Sequence, residues 1–306
     1  MENTKEEFLD YLNSESESIK QYLIYKNDFL AFAKNQNFAL TYKGVGKLKL
    51  YKFQEDILKS IIDSKVDIIA HSRQMGISQI FALYIAWFVL FNYEKNVFIM
   101  SNDTQMAVHL LERVKFILRN YTVNGIFNFD SEIIKDNKKS FSLKNGCSVE
   151  IASSENSFKG KQKHLCFIDN AAFIKNLESI TNSVFCEMSA IKDTKLIIAS
   201  CPYDDSYFNK LAIEWTEANR QVIPWNLHPQ RDEEWFNKMC KTLNFEINAM
   251  DQELNCIINY KEKSSKDKTI SLRIPFDKFR AIKTKIGDEL SISDYIRSLI
   301  EKDLSN

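Results

Sequence analysis

From residue 46 onward, short apolar runs alternate with longer stretches of helical spacing. The runs are rich in β-branched and aromatic residues and are bounded by polar positions, which is typical of buried strands. Strands that alternate with helices predict a mainly parallel sheet with helices on both faces, in the α/β class. The predicted strands are 67–72, 96–101, 140–153, 164–169 and 195–200, and the main predicted helices between them are 78–92, 103–119 and 175–191.

Segment 140–153 departs from this alternation, because two runs of period two flank Asn145-Gly146. That dipeptide is a strong signal for a β-hairpin. Residues 205–218 and 231–250 have the spacing of helices packed beside the sheet.

Changes in pattern also divide the chain. The first residues are polar with helical spacing, which predicts one or two amphipathic helices, and a polar, charged stretch near the C-terminus predicts a linker. We therefore predict an N-terminal helical segment 1–45, an α/β domain 46–258, a linker 259–267 and a small C-terminal domain 268–306.

Composition narrows the class of protein. The chain has 306 residues and no net charge, and its 6 cysteines include no C-x-x-C pair. Free thiols in a reducing compartment are therefore expected, and the four scattered histidines show no metal-ligand spacing. The opening residues are acidic and polar, and the longest apolar run, Ile80–Phe91, is shorter than the roughly 20 residues of a membrane span. We expect a soluble, intracellular protein.

The stretch 67–91 reads as a buried strand, a short polar turn with one glycine, and an apolar helix. That layout is typical of a phosphate-binding loop, in which backbone N–H groups hold phosphates, a lysine neutralises them, and a hydroxyl reaches Mg²⁺. Gly76 and Ser78 suit the turn and the metal. Ile77 stands where the lysine belongs and carries no charge, and a loop without that lysine, taken alone, is more often a plain strand–helix connection.

A second candidate motif ends the apolar strand 165–169 at Asp169, whose carboxylate is suited to Mg²⁺. A glutamate that activates water would come next, but this chain has Asn170. An amide is not a general base at neutral pH. Alone, Asp169 is also compatible with a residue that caps a turn.

Taken in order, these motifs resemble the ATPase domain of large terminase subunits, the DNA-packaging motors of tailed bacteriophages. "SRQMGIS" (72–78) is similar to that family's S-R-Q-x-G-K-[ST] except at Ile77, and "IDNAAF" (168–173) is similar to I-D-E-x-A-F except at Asn170. Phe53-Gln54 resembles a pair that contacts adenine in that family, and 137–154 resembles the family's hairpin before its second motif. Lys159-Gly160 resembles an R-G whose arginine has been proposed as a trans-acting finger, and 199–202 resembles the family's coupling motif. Segments 223–239 and 251–256 resemble the part that closes the domain.

The resemblance implies a P-loop NTPase-type, RecA-like sheet and a nucleotide site formed by Phe53, Gln54, Arg73, Gly76 and Ser78. It also implies that Ser78 and Asp169 hold Mg²⁺. The departures at Ile77 and Asn170 remove two charge-stabilising groups, each worth about 2.7–4 kcal/mol of barrier. We therefore expect no catalytic residues, negligible hydrolysis, and at most ATP and Mg²⁺ bound without turnover. Few residues follow Ile258, so no nuclease domain is expected.

In segment 268–304, polar Thr269, Ser271 and Arg273 alternate with apolar neighbours, which predicts a half-buried strand, and two short amphipathic helices follow. In length and order of elements, this segment closely resembles a ribbon-helix-helix DNA-binding domain. So small a unit cannot bury a core alone, so we expect it to form a homodimer by pairing its strand with that of a second copy. The resemblance implies that Lys268, Thr269, Ser271 and Arg273 contact DNA in the major groove, and that Ser291 and Ser293 hold a phosphate.

Charge agrees with a DNA partner. Residues 261–285 carry nine Lys or Arg against three Asp or Glu, a net charge of about +6 in a chain that is neutral overall. A dimerisation module that does not bind DNA is the alternative for this segment.

The favoured interpretation is a catalytically inactive terminase-like protein that binds double-stranded DNA and acts in phage packaging or its regulation. Such a protein would be encoded by a phage or prophage, act in the bacterial cytoplasm, and have other packaging proteins as partners. One alternative is an active packaging ATPase that takes its lysine from Lys159, Lys161 or Lys163. Another is a ribbon-helix-helix transcriptional repressor whose large domain is a scaffold.

Overall fold

The computed structural model describes residues 17–35, 39–41, 44–46, 48–121, 128–152, 162–190, 194–243 and 247–260, together with Lys285, Tyr295 and Lys302. The chain divides into two compact units, Met1–Lys261 and Glu262–Asn306. The predicted DNA-contacting residues Lys268, Thr269, Ser271, Arg273, Ser291 and Ser293 lie outside the described residues, so that domain stays a prediction.

The first unit is built on an eight-stranded sheet. Six neighbouring strands run parallel, and two antiparallel strands extend one edge. The strands are β3 (Val66–His71), β4 (Asn96–Ser101), β5 (Ile133–Asn137), β6 (Ser140–Leu143), β7 (Ser148–Ile151), β8 (Leu165–Asp169), β9 (Lys195–Ser200) and β10 (Asn219–Ile223), in the spatial order β10-β3-β9-β8-β4-β7-β6-β5. A separate hairpin pairs β1 (Ala39–Thr41) with β2 (Gly44–Gly46).

Helices connect the parallel strands, as the alternating pattern predicts. Residues 17–27 form α1. The others are α2 (Phe29–Asn35), α3 (Lys52–Ser60), α4 (Ile77–Phe91), α5 (Thr104–Asn120), α6 (Phe129–Glu132), α7 (Leu177–Ala190), α8 (Tyr207–Glu214), α9 (Glu233–Thr242) and α10 (Ile247–Met250), with a π-helical turn at Asp251–Asn255 and 3₁₀ turns at Ala171–Phe173 and Trp225–Leu227.

The sheet has an apolar core on each face, which confirms the α/β class with helices on both sides. One core joins β3, β4, β8 and β9 to α2, α3, α4 and α5. The other joins the opposite faces of those strands to α7 and α8. Alternate residues of one strand serve the two cores, as with Ile69 on the first side and Ile68 on the second. Because helices cover both faces of the sheet, side chains on both faces of these strands are apolar, and the strands appear in the sequence as continuous apolar runs.

The predicted hairpin is formed by β6 and β7, and Asn145 anchors its turn. The Asn145 side-chain amide donates to the carbonyl oxygens of Val89 and Asn92, at 2.8 and 2.9 Å, at the end of α4. Its oxygen accepts from the backbone N–H of Cys147 at 3.0 Å. Gly146 has φ of 80°, which favours glycine. The turn therefore fixes the end of α4 against the sheet.

We predict that Asn145→Ala lowers the free energy of unfolding by about 1–3 kcal/mol, because two carbonyls of the α4 terminus lose their donor. Urea unfolding followed by circular dichroism measures this change. Lys144→Ala is the matched control, since Lys144 is exposed and its ion pair with Glu132 is long, at 4.0 Å. Equal stability of the two variants would contradict the anchoring role.

Candidate nucleotide site

The loop 72–78, here called the phosphate loop, joins β3 to α4 in a strained conformation. Gln74 and Gly76 both have positive φ, 58° and 73°. A Cβ atom on Gly76 would lie 2.7 Å from the amide nitrogen of Gln54. That nitrogen donates to the carbonyl of Met75 at 3.0 Å, and the Gln54 oxygen accepts from the backbone N–H of Tyr51 at 3.1 Å. The loop shape therefore depends on glycine at position 76 and on the brace from Gln54.

Phe53 and Gln54, which the resemblance relates to adenine, are both buried. Phe53 stacks on Tyr51 with ring centroids 5.9 Å apart and tilts against His228 at 6.2 Å. The adenine contact stays a prediction, and the structure adds a second use for Gln54, the support of the phosphate loop.

Ser78 and Asp169 bring the two motifs together. The Ser78 hydroxyl, in the first turn of α4, donates to Asp169 Oδ2 at 2.7 Å. Asp169 is buried at the carboxyl end of β8. One hydroxyl and one carboxylate are hard oxygen donors that suit Mg²⁺, which typically keeps several waters or phosphate oxygens. These two residues would hold the ion, which would neutralise charge on bound phosphates.

The positions of the expected lysine and glutamate contain neither charge nor base. Ile77 is 2% exposed and belongs to the apolar core, so its side chain is a packing element. Asn170 has φ of 53°, a left-handed conformation that asparagine tolerates better than most residues. Its side-chain amide donates to the Ser101 hydroxyl at 3.4 Å.

Arg73 is engaged by a carboxylate of its own chain. Its guanidinium pairs with Glu253, with Nη2 to Oε1 at 2.6 Å, and these hydrogen bonds raise the pKa of Arg73. The Glu253 main-chain oxygen also accepts from the Ser72 hydroxyl at 2.9 Å and from the Arg73 N–H at 3.3 Å. The π-helical turn therefore fastens the start of the phosphate loop.

Arg231 fastens the same loop from a second direction. Its guanidinium donates to the carbonyl oxygens of Arg73 and Gln74, at 2.7 and 3.2 Å, and to the Ser72 hydroxyl at 3.3 Å. It also lies 4.4 Å from the ring centre of Trp235, in cation–π geometry. Glu253 and Arg231 were not predicted as site residues. The only sequence signal was that their segments resemble the part of the family that closes the domain.

The loop, α5 and the ends of β8 and β9 surround a cavity of about 620 Å³. Burial raises the pKa of the Cys201 thiol to about 12, so this group stays protonated at neutral pH. His71 is 8% exposed, and burial lowers its pKa. Its Nδ1 donates to the Ser72 carbonyl at 2.9 Å, while Nε2 has no hydrogen-bond partner within the described residues. The cavity also contacts Asn102, Met106, Arg113, Asp169, Asn170 and Phe173.

Of the three lysines considered as substitutes for the missing cation, one is described. Lys163 precedes β8 at the end opposite Asp169, is fully buried, and pairs with Glu187. It therefore cannot serve the cavity at the other end of the strand. Lys159 and Lys161 lie outside the described residues.

A phosphate loop after one strand, with a strand-end aspartate reaching its hydroxyl, defines the P-loop nucleoside triphosphatase class. Residues 68–264 match the family model "Terminase large subunit, T4likevirus-type, N-terminal". This match spans more than half of the chain, which therefore belongs to that family.

Solved structures agree at the level of the fold. The Thermus phage P74-26 large terminase ATPase domain is 14% identical, covers 69% of this chain and 94% of its own, and gives a TM-score of 0.55. The HK97 bacteriophage large terminase is 12% identical, and the match covers 76% of this chain and 54% of that protein with a TM-score of 0.57. The large terminase of thermophilic bacteriophage D6E in complex with ADP is 13% identical, and the match covers 68% of this chain and 53% of that protein with a TM-score of 0.54. The chain thus spans about half the length of these last two proteins.

Within the part of the chain that the structure describes, no helix is long and apolar enough to cross a membrane. No group of three or more His, Cys, Asp or Glu residues there could hold a metal ion.

We predict that Arg231→Ala lowers the free energy of unfolding by about 2–3 kcal/mol, because several acceptors of the phosphate loop lose a charged donor. Limited proteolysis should then cut within 72–78 faster than in the parent chain. Lys238→Ala, a change at an exposed position of α9, is the control and should match the parent in both measurements. An Arg231→Ala chain as resistant as its control would show that the loop is held by other contacts.

Proposed function

We propose that this chain is a terminase-type domain that does not hydrolyse ATP and acts in phage DNA packaging, or in its regulation, by binding DNA. The observation that supports this most directly is that Ile77 and Asn170 stand where the family has its lysine and its glutamate, while the remaining parts of the site stay assembled. The phosphate loop keeps its left-handed turns, and Ser78 still contacts Asp169.

In phosphoryl transfer the protein contributes mainly by positioning and by stabilising charge, and one such contact is worth about 10²–10³ in rate. Ile77 lies in the core and brings no charge to the phosphates. Asn170 cannot accept the proton of an attacking water. Absence of both effects is expected to leave hydrolysis at the background rate.

An assembled site supports a retained role for the domain. Gln74 and Asn170 occupy left-handed conformations that cost free energy, and Gln54, Arg231 and Glu253 each fasten the loop. A loop that served only to connect a strand to a helix would need none of these contacts. The domain is therefore proposed as a scaffold whose shape still matters to its partners.

We predict that the full chain releases phosphate from ATP at the background rate, with or without double-stranded DNA, and that Asp169→Ala changes nothing. The double variant Ile77→Lys with Asn170→Glu should raise release by about 100-fold or more, because it returns both groups. A coupled phosphate-release assay measures this rate.

Each single variant is the control for the double variant and should release phosphate more slowly than the double variant does. Turnover by the parent chain that Asp169→Ala abolishes would contradict the proposal and favour the active-ATPase alternative.

DNA binding is proposed for the C-terminal unit, supported by its charge of about +6 over residues 261–285 and by its resemblance to a ribbon-helix-helix domain. Arg273, Thr269 and Ser271 would face the bases, and two copies would pair through this strand. The large domain would then be delivered to DNA by the smaller one.

We predict that Arg273→Ala weakens binding to duplex DNA by about 10-fold, as expected for one lost charged contact, and that a chain ending at Lys261 loses most of its affinity. Fluorescence anisotropy over a salt series measures both. Lys20→Ala, a change at an exposed lysine of α1, should bind like the parent.

Undiminished binding by the shortened chain would place the DNA site elsewhere. Tight binding to one sequence, with strong discrimination against others, would favour the repressor alternative.

A further inference from the structure

The cavity beside the phosphate loop lacks its usual cation but retains other charged groups. Of the described residues that line it, the cations are Arg73 and Arg113. Arg73 is paired through its guanidinium with Glu253. Arg113 has no ion-pair or hydrogen-bond partner among the described residues, so its charge is uncompensated there.

Arg113 lies on α5 and lines the same cavity as the phosphate loop. Met106 and Arg113 both line the cavity and are seven residues apart, which is two helical turns or about 10 Å on one face. The nearest acid in sequence, Glu112, pairs with Lys115 at 2.9 Å, and Lys115 pairs with Asp136 at 2.7 Å. Glu112, the only acid within α5, is therefore paired elsewhere, and the guanidinium is left for a ligand.

His71 gives a second, independent indication that the cavity binds something. It is more than nine-tenths buried, lines the same cavity, and has an Nε2 atom without a partner among the described residues. Buried polar atoms in native proteins nearly always have a partner, from the protein, from water or from a ligand. A ligand in the cavity, directly or through a bound water, would satisfy this atom.

We propose that Arg113 supplies the phosphate-neutralising cation that position 77 lacks, so that the cavity binds a nucleoside triphosphate without cleaving it. This inference deepens the proposed function, on which it rests for the absence of cleavage. A guanidinium suits the role because it binds phosphate oxygens through two parallel hydrogen bonds. The first turn of α4 offers backbone N–H groups to the same phosphates, and Ser78 with Asp169 offers the site for Mg²⁺.

The test is a titration of the full chain with a fluorescent ATP analogue and Mg²⁺, with phosphate release followed in the same samples. Arg113→Gln removes the positive charge while keeping a polar side chain of similar helix propensity, and should weaken binding by about 10- to 100-fold, as for one lost charged contact. Arg113→Lys should recover part of the affinity. Arg119→Ala, on the same helix but paired with Asp136, is the matched control and should bind like the parent.

The outcomes separate the two proposals. Parental affinity in Arg113→Gln, or no binding by the parent chain, overturns the role of Arg113 and leaves the absence of hydrolysis untouched. Phosphate release by the parent chain overturns the proposed function, while the affinities still decide the role of Arg113. Melting curves by circular dichroism identify a variant that has not folded, and Arg113→Lys then decides the matter by its own affinity.

Discussion

The hydrogen bond between Ser78 and Asp169 is the contact on which the rest of the site depends. It joins the first turn of α4 to the carboxyl end of β8, two elements 91 residues apart in the chain. The parallel order of β3, β9 and β8 makes this contact geometrically available, because their carboxyl ends meet at one edge.

Around that contact, the phosphate loop and its supporting side chains are in place, but the lysine and the glutamate of the two motifs are missing. The phosphate loop is held by Gln54, Glu253 and Arg231 from three directions, yet Ile77 is committed to the core and Asn170 has only an amide. A protein contributes to phosphoryl transfer mainly by electrostatic stabilisation. Positions 77 and 170 are therefore expected to affect the rate of hydrolysis more than the motif positions that match the family. We therefore propose that the same cavity holds a ligand without turning it over.

Much of the fold was predictable because burial determines it. The continuous apolar runs of β3, β4, β8 and β9 and the Asn145-Gly146 turn were read correctly, but β5 and β10 were not. These edge strands have polar, exposed positions that resemble loops, for example in NRQVI. The motif positions were also predictable, whereas Arg231 and Glu253 were not, because they reach the loop across 158 and 180 residues of chain. The proposed role of Arg113 was not predictable either, because it depends on α5 lying beside the cavity.

The absence of hydrolysis is tested most directly by incubating a small amount of ATP with an excess of the 306-residue chain, Mg²⁺ and duplex DNA, then separating the nucleotides after several hours. Such single-turnover conditions reveal even slow cleavage. We predict that the nucleotide is recovered as ATP, at the same yield as in a sample with Asp169→Ala. Conversion to ADP by the parent chain, absent in the Asp169→Ala sample, would contradict it.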